Sequence, residues 1–190
     1  MNDKLKEELR KTNEILRNGG VILYPTDTIW GLGCDATNEE AVKRIYDIKK
    51  RADNKSMLVL LDDAGKIGSY AHVPDIALDL IEVTDKPLTI IYPEAKGLAH
   101  NLIAEDGSIG IRITSEEFTK SLLFRFHKPI VSTSANISGE PSPRFFDEIS
   151  DEIKNAVDYV VDYRQQENKA ATPSGIIKIG AKGEIQIIRK

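Results

Sequence analysis

The chain has 190 residues, 41% of them apolar, which suits one globular domain spanning residues 1–190. The net charge of -4 excludes bulk attraction to nucleic acid, so any RNA contact would need a local basic patch. A lone cysteine excludes an intrachain disulfide, and the absence of a signal sequence or a long apolar stretch predicts a cytoplasmic protein with no membrane contact.

The first third of the chain alternates helix and strand signals. Residues 3–17 have amphipathic helical spacing and precede Asn18 and two glycines, which suit a helix end. Residues 21–24 form a short apolar strand stopped by proline. Residues 38–50 predict a second helix that begins near Asn38 and ends in a run of three cations.

Alternation continues to a terminal hairpin. The remaining predicted strands cover 57–61, 88–92, 108–113, 129–133, 159–162, 175–179 and 184–188, and the remaining helices cover 74–83, 115–127 and 145–157. Ser115 is the predicted N-cap of the helix at 115–127. This order predicts an α/β domain with a sheet of mixed strand direction.

Polar clusters stand where predicted strands and helices end. Segment 24–28 (Tyr-Pro-Thr-Asp-Thr) offers hydroxyls and a carboxylate to a ligand, but taken alone it is more typical of a turn. Segment 49–51 (Lys-Lys-Arg) could bind an anion, or it could simply complement the helix dipole. Segment 132–139 could wrap phosphates or act as a polar loop, and it lacks the spacing of a P-loop.

Two further features could either contact a ligand or have a purely structural role. Arg112 interrupts an apolar strand, where its charge must meet a carboxylate, a phosphate or solvent. Segment 172–175 is a small polar turn that either connects elements or contacts a ligand. The three histidines and Cys34 form no nucleophile and base pattern, so a covalent hydrolase is not expected.

Taken in order, these clusters resemble the YrdC-like family of threonylcarbamoyl-AMP synthases in its short, single-domain form. The resemblance covers about residues 10–189 and centres on Lys49-x-Arg51 followed by Ser134-x-Asn136. Three positions differ from the usual family pattern: Ala52 and Thr114 stand where proline is common, and Gly175 stands where threonine is common.

The resemblance implies a twisted mixed sheet with flanking helices and an open concave cavity. It assigns catalytic roles to Lys49 and Arg51, threonine contacts to Thr28 and Ser174, and nucleotide contacts to Arg112, Ser134, Asn136 and Ser138. It implies no metal held by the protein, although Mg²⁺ would accompany ATP.

The implied reaction condenses L-threonine, bicarbonate and ATP into threonylcarbamoyl-AMP and pyrophosphate for tRNA modification. A threonylcarbamoyl transferase complex would then accept the product, and a direct RNA contact is possible. The main alternative is a YrdC-like paralogue that binds nucleotide or RNA without synthase activity. A carbamoyl-transfer role in hydrogenase maturation is a further alternative, although the accompanying domains are missing from this sequence.

Overall fold

Nine strands and five α-helices alternate along the described part of the chain. The structure is a computed structural model, and it describes residues 3–51, 57–167, 170 and 172–190. The helices are α1 (Asp3–Arg17), α2 (Glu39–Lys49), α3 (Asp75–Val83), α4 (Glu117–Phe126) and α5 (Asp151–Ala156). The strands are β1 (Ile22–Tyr24), β2 (Gly31–Gly33), β3 (Leu58–Leu61), β4 (Leu88–Tyr92), β5 (Ile109–Ile113), β6 (Ile130–Ser134), β7 (Tyr159–Val160), β8 (Gly175–Ile179) and β9 (Ile185–Arg189).

All nine strands join one sheet in the order β7-β1-β2-β6-β3-β5-β4-β8-β9. Strand β3 pairs in parallel with β5 and antiparallel with β6, and β4 pairs in parallel with β8 and antiparallel with β5. The prediction of an α/β fold with a mixed, twisted sheet and flanking helices is therefore confirmed.

The two faces of the sheet are covered differently. On one face, strand residues such as Leu23 and Val131 pack with apolar side chains of α2, α3 and α5 into the larger core cluster. On the other face, Ile22, Leu60 and Ile130 pack against α1 and α4. Because side chains alternate across a strand, Ile130 and Ser132 of β6 share this second face, where apolar residues give way to polar ones.

Two helices and one strand differ from the sequence predictions. Helix α4 starts one residue later, because the side chain of Glu116, instead of Ser115, accepts from the backbone N–H groups of Phe118 and Thr119. Residues 145–157 do not form one helix: a 3-10 turn at Phe146–Glu148 is followed by α5, which Ser150 caps. The Ser150 side chain accepts from the backbone N–H of Ile153, the third residue of α5. It therefore starts a new helix and interrupts the predicted one.

Strand β2 was not predicted, because its sequence, Gly-Leu-Gly, has low strand propensity. The glycines are required by the packing of β1 against β2. A Cβ on Gly33 would lie 2.6 Å from Cε1 of Tyr24 and 2.8 Å from the carbonyl oxygen of Val131. The tyrosine ring, whose hydroxyl donates to that same carbonyl at 3.1 Å, takes the space that a side chain would need.

In the described ranges, none of the helices combines the length and apolar character needed to span a bilayer.

Candidate functional site

A cavity of about 700 Å³ opens on the sheet face that α1 and α4 cover only in part. Along β6, Ile130 lies under the helices while Ser132 and Ser134 line the cavity. Along β3, which runs antiparallel to β6, Leu60 lies under the helices and Leu58 lines the cavity. The predicted concave cavity is therefore present, and the same strands that build the core position its polar floor.

Five of the eight residues assigned from the sequence line this cavity. They come from five separate parts of the chain: Thr28, Arg51, Arg112, Ser134 and Ser174. The other three residues are Lys49, Asn136 and Ser138. They are close in the sequence to Arg51 or Ser134, but they are not among the described residues that line the cavity. Family roles for individual residues stay predictions, but the structure does bring the distant motifs to one place.

Arg112 lies at the floor of the cavity with its side chain only 3% exposed. Its Nη2 atom is 2.9 Å from Oδ1 of Asp27, whose side chain is 7% exposed. The angles do not make this contact a hydrogen bond, and Nε and Nη2 have no hydrogen-bond partner within the described residues. Buried guanidinium donors without acceptors are costly, so Arg112 presents unused hydrogen-bonding capacity to an anionic ligand.

Ser174 is held from two sides. Its hydroxyl lies 2.8 Å from that of Thr89, and both side chains are buried. Nε of Arg189 donates to the Ser174 carbonyl at 2.9 Å, which fixes the guanidinium at the cavity edge. Burial, together with the nearby charge of Arg112, lowers the pKa of Arg189. Two guanidinium groups that repel each other in this way favour an anion between them.

A second charged pair also lines the cavity. Lys178 of β8 forms an ion pair with Asp106, which also accepts from the Ser108 hydroxyl at 2.6 Å. Hydrogen bonds from Lys178 and then from Ser108 lower the pKa of Asp106 to about 2. The carboxylate is therefore ionised at neutral pH, and it neutralises the cation beside it.

Five of these residues were missed from the sequence: Thr89, Asp106, Ser108, Lys178 and Arg189. Lys178 carried a usable signal, because it interrupts an apolar strand just as Arg112 does. Thr89 and Ser108 carried none, since small hydroxyl residues are ordinary at strand positions. Arg189 belongs to the exposed strand β9, where a cation is normally solvated.

The turn at the end of α2 places the side chains of Lys49 and Arg51 in different surroundings. Lys50 adopts a left-handed conformation with φ 50°, and Arg51 donates its backbone N–H to the carbonyl of Tyr46 at 3.0 Å. This Schellman arrangement turns the chain sharply after Lys49. Lys49 is consequently buried, whereas Arg51 reaches the cavity, where burial lowers its pKa. Ala52, the first departure from the family pattern, lies outside the described residues.

Lys49 makes its contacts on the far side of the cavity wall. Its Nζ donates to the carbonyl oxygens of Ser134 at 2.5 Å and Asn136 at 2.7 Å, and it lies 3.5 Å from Oδ1 of Asn136. The backbone N–H of Ser138 donates to the Lys49 carbonyl at 2.8 Å. Burial, and secondarily the charge of Arg51, lowers the pKa of Lys49 to about 8. The segment after β6 is thus tied to the end of α2.

The described residues contain no group of three or more histidine, cysteine, aspartate or glutamate side chains that could hold a metal ion. Three carboxylates lie at or near the cavity: Glu105 and Asp106 line it, with Asp106 paired to Lys178, and Asp27 lies against Arg112. A dedicated protein site for Mg²⁺ does not fit these residues. The cavity instead offers guanidinium groups and hydroxyls, which suit phosphate and carboxylate groups.

Comparison with known proteins identifies relatives over most of the chain. Residues 14–190 match the model of the Sua5/YciO/YrdC family, which carries the description "Telomere recombination". A putative threonylcarbamoyl-AMP synthase of Methanocaldococcus jannaschii is 40% identical over 179 residues, which cover 92% of this chain and 83% of that protein. The threonylcarbamoyl-AMP synthase of Pseudoalteromonas translucida is 35% identical, covering 77% of this chain and 81% of that protein.

A solved structure of P. abyssi Sua5 complexed with L-threonine has the same fold, with a TM-score of 0.80 and 25% sequence identity. The match covers 90% of this chain and 50% of the Sua5 chain. This chain therefore spans about half the length of that relative, whereas it spans most of the two synthases.

Proposed function

The chain belongs to the Sua5/YciO/YrdC family, and on that premise we propose that it is a threonylcarbamoyl-AMP synthase. The enzyme condenses L-threonine, bicarbonate and ATP into threonylcarbamoyl-AMP and pyrophosphate. One observation carries the proposal: a single cavity gathers Arg51, Arg112 and Arg189 with several hydroxyl groups. Synthases at 35% and 40% identity, and a relative with bound L-threonine, support the same assignment.

The reaction consists of two condensations. The threonine amine attacks the carbon of bicarbonate, and loss of water leaves a carbamate. A carbamate oxygen then attacks the α-phosphorus of ATP in line, and the bond to the β-phosphate oxygen breaks to release pyrophosphate. Neither step needs a protein nucleophile, so catalysis rests on positioning the reactants and on stabilising negative charge.

The cavity residues are well suited to both tasks. The unpaired donors of Arg112 and the neighbouring guanidinium of Arg189 can donate hydrogen bonds to phosphate oxygens. Arg51 can neutralise the carbamate and the α-phosphate, two anions that repel each other as they approach. Thr28 and Ser174 place hydroxyls in the same cavity, where they can orient threonine. Ser134 lines the cavity as a hydroxyl donor for the nucleotide.

Magnesium enters this proposal only as the companion of ATP. Mg²⁺ keeps several waters and phosphate oxygens in its coordination shell, so it needs few protein ligands. No residue of this chain is assigned to it.

Two relationships follow from the proposed activity. The adenylate product is a reactive mixed anhydride, so a threonylcarbamoyl transferase complex is the proposed acceptor for tRNA modification. A cytoplasmic location is proposed with it, because the reaction consumes ATP. A direct RNA contact would require a local basic surface, since the chain as a whole carries a net charge of -4.

The test is pyrophosphate release from purified protein with ATP, magnesium and bicarbonate, measured with and without L-threonine. A synthase should release pyrophosphate only when threonine is present, and Arg51→Ala should lower the rate at least tenfold. Lys43→Ala is the matched control, since Lys43 lies on α2, the helix that Arg51 follows, but pairs with Asp47 at the exposed surface. Threonine-independent or absent release from folded protein would favour the nucleotide-binding or RNA-binding paralogue.

A further inference from the structure

The two halves of the Lys-x-Arg motif have different surroundings. Arg51 lines the cavity, whereas the Lys49 side chain is 1% exposed and lies behind the wall. A residue that contacts a diffusible substrate must expose its polar atom to the cavity. Because the Lys49 ammonium already faces three oxygens of the segment after β6, its hydrogen-bonding capacity is used within the protein.

The Ser-x-Asn motif shows the same division. Ser134 lines the cavity at the end of β6, while Asn136 is directed into its own loop. Nδ2 of Asn136 donates to the carbonyls of Ile137 at 3.1 Å and Glu140 at 2.7 Å, and its Oδ1 faces Lys49. Both polar ends of the amide therefore hold the loop instead of pointing into the cavity.

Three contacts link the Lys49 side chain to the cavity wall. The Ser134 carbonyl accepts from Lys49, while Ser134 pairs with Gly31 in the β2–β6 ladder. The backbone N–H of Ala135 donates to the carbonyl of Trp30 at 3.2 Å. Gly31 and Trp30 both line the cavity. Lys49 is therefore connected through backbone contacts to residues that line the cavity.

We infer that Lys49 and Asn136 are positioning residues: together they lock the turn at 134–138 to the end of α2, so that Ser134 and Arg51 are held at fixed places in the cavity. The co-occurrence of the two motifs is then a consequence of folding as well as of chemistry. Misplacing a reacting group by about 1 Å can lower a rate by about two orders of magnitude, so such a lock matters for catalysis. The catalytic part of this inference rests on the proposed synthase activity.

The test uses three variants: Lys49→Met, Asn136→Ala and the double variant that carries both changes. Arg51→Met is the comparison, because it removes a charge that does line the cavity. Hydrogen exchange is measured first, because it needs no activity. Lys49→Met should raise the exchange rate of backbone amides in segment 134–138 at least tenfold, and Arg51→Met should leave it within about twofold. Where Lys49→Met does not fold, Lys49→Gln, which keeps a donor without the charge, takes its place.

Steady-state kinetics supply the second readout. Lys49→Met should lower kcat at least tenfold while the KM values for threonine and ATP each change by less than about threefold. The double variant should be no more than about twofold slower than the slower single variant, because both changes open one lock. The inference is wrong if exchange in 134–138 is unchanged and Lys49→Met raises the KM of a single substrate tenfold. An inactive wild type would overturn the synthase proposal but not the lock, which hydrogen exchange tests on its own.

Discussion

Arg112 Nη2 lies 2.9 Å from Asp27 Oδ1 at the cavity floor, yet neither atom completes a hydrogen bond with the described residues. Burying two charges is costly, and their mutual attraction offsets part of that cost. We expect Asp27→Asn to leave the Arg112 charge uncompensated and to lower the free energy of unfolding by about 3 kcal/mol. Urea unfolding monitored by circular dichroism measures this change.

The matched control for that pair is the exposed one at the end of α2. Lys50 contacts Glu152 at 2.8 Å, and both side chains are more than half exposed. Glu152→Gln should change the free energy of unfolding by less than about 1 kcal/mol. Equal losses for the two carboxylate variants would contradict the assignment of Asp27 as a buried counter-ion.

Arg189 should contribute to binding although it lies at the far end of the chain. Arg189→Met removes a charged donor from the cavity and frees the Ser174 carbonyl. Hydrogen bonds to charged groups are worth about 1.5 to 3 kcal/mol, so kcat/KM for ATP should fall by roughly 10-fold to 150-fold. Lys190→Met, one residue along at an exposed position, should leave kcat/KM within about twofold. Similar losses in both variants would refute a specific role for Arg189.

Gly33 should tolerate no side chain. A Cβ there would meet the Tyr24 ring at 2.6 Å and the Val131 carbonyl at 2.8 Å, and neither can move without disturbing β1 or β6. We expect Gly33→Ala to lower the free energy of unfolding by roughly 2 kcal/mol. In Gly68→Ala the new methyl meets nothing within 4 Å, so thermal unfolding should be nearly unchanged. An unaltered melting temperature for Gly33→Ala would contradict the packing described here.

Asp106 should make stability depend on pH in the acid range. Its folded pKa of about 2 lies below the ordinary 3.8, because Lys178 and Ser108 stabilise the ionised form. The resulting stabilisation is complete above pH 3.8 and is lost as the pH falls towards 2. Since Asp106 is exposed, the effect should be only about 0.5 kcal/mol.

The measurement is the difference in free energy of unfolding between wild type and Asp106→Asn at pH 6 and at pH 2.5. That difference should shrink at the lower pH, where the wild-type carboxyl is becoming protonated. Asp85→Asn, at an exposed position, serves as the control and should show no such convergence. A difference that grows as the pH falls would have the wrong sign for this ion pair.

Much of the fold could be predicted from local patterns, because burial of one face leaves a periodic record in the sequence. The spacing of Leu5, Leu9 and Leu16 predicts α1, and all three side chains are buried. Apolar runs predict β3, β4 and β5 for the same reason. The pattern failed where a single polar group decides the outcome, as at Ser150, whose hydroxyl starts α5 and divides the predicted helix.

Residue identity and order are enough to assign the family and to show which motifs belong together. Which members of those motifs reach the cavity depends on the three-dimensional packing. Lys49 and Arg51 differ by two positions, but a left-handed Lys50 between them turns one into the protein and the other towards the ligand space. Arg189 becomes a site residue because β8 and β9 pair beside β4, a relationship between distant segments that local spacing does not encode.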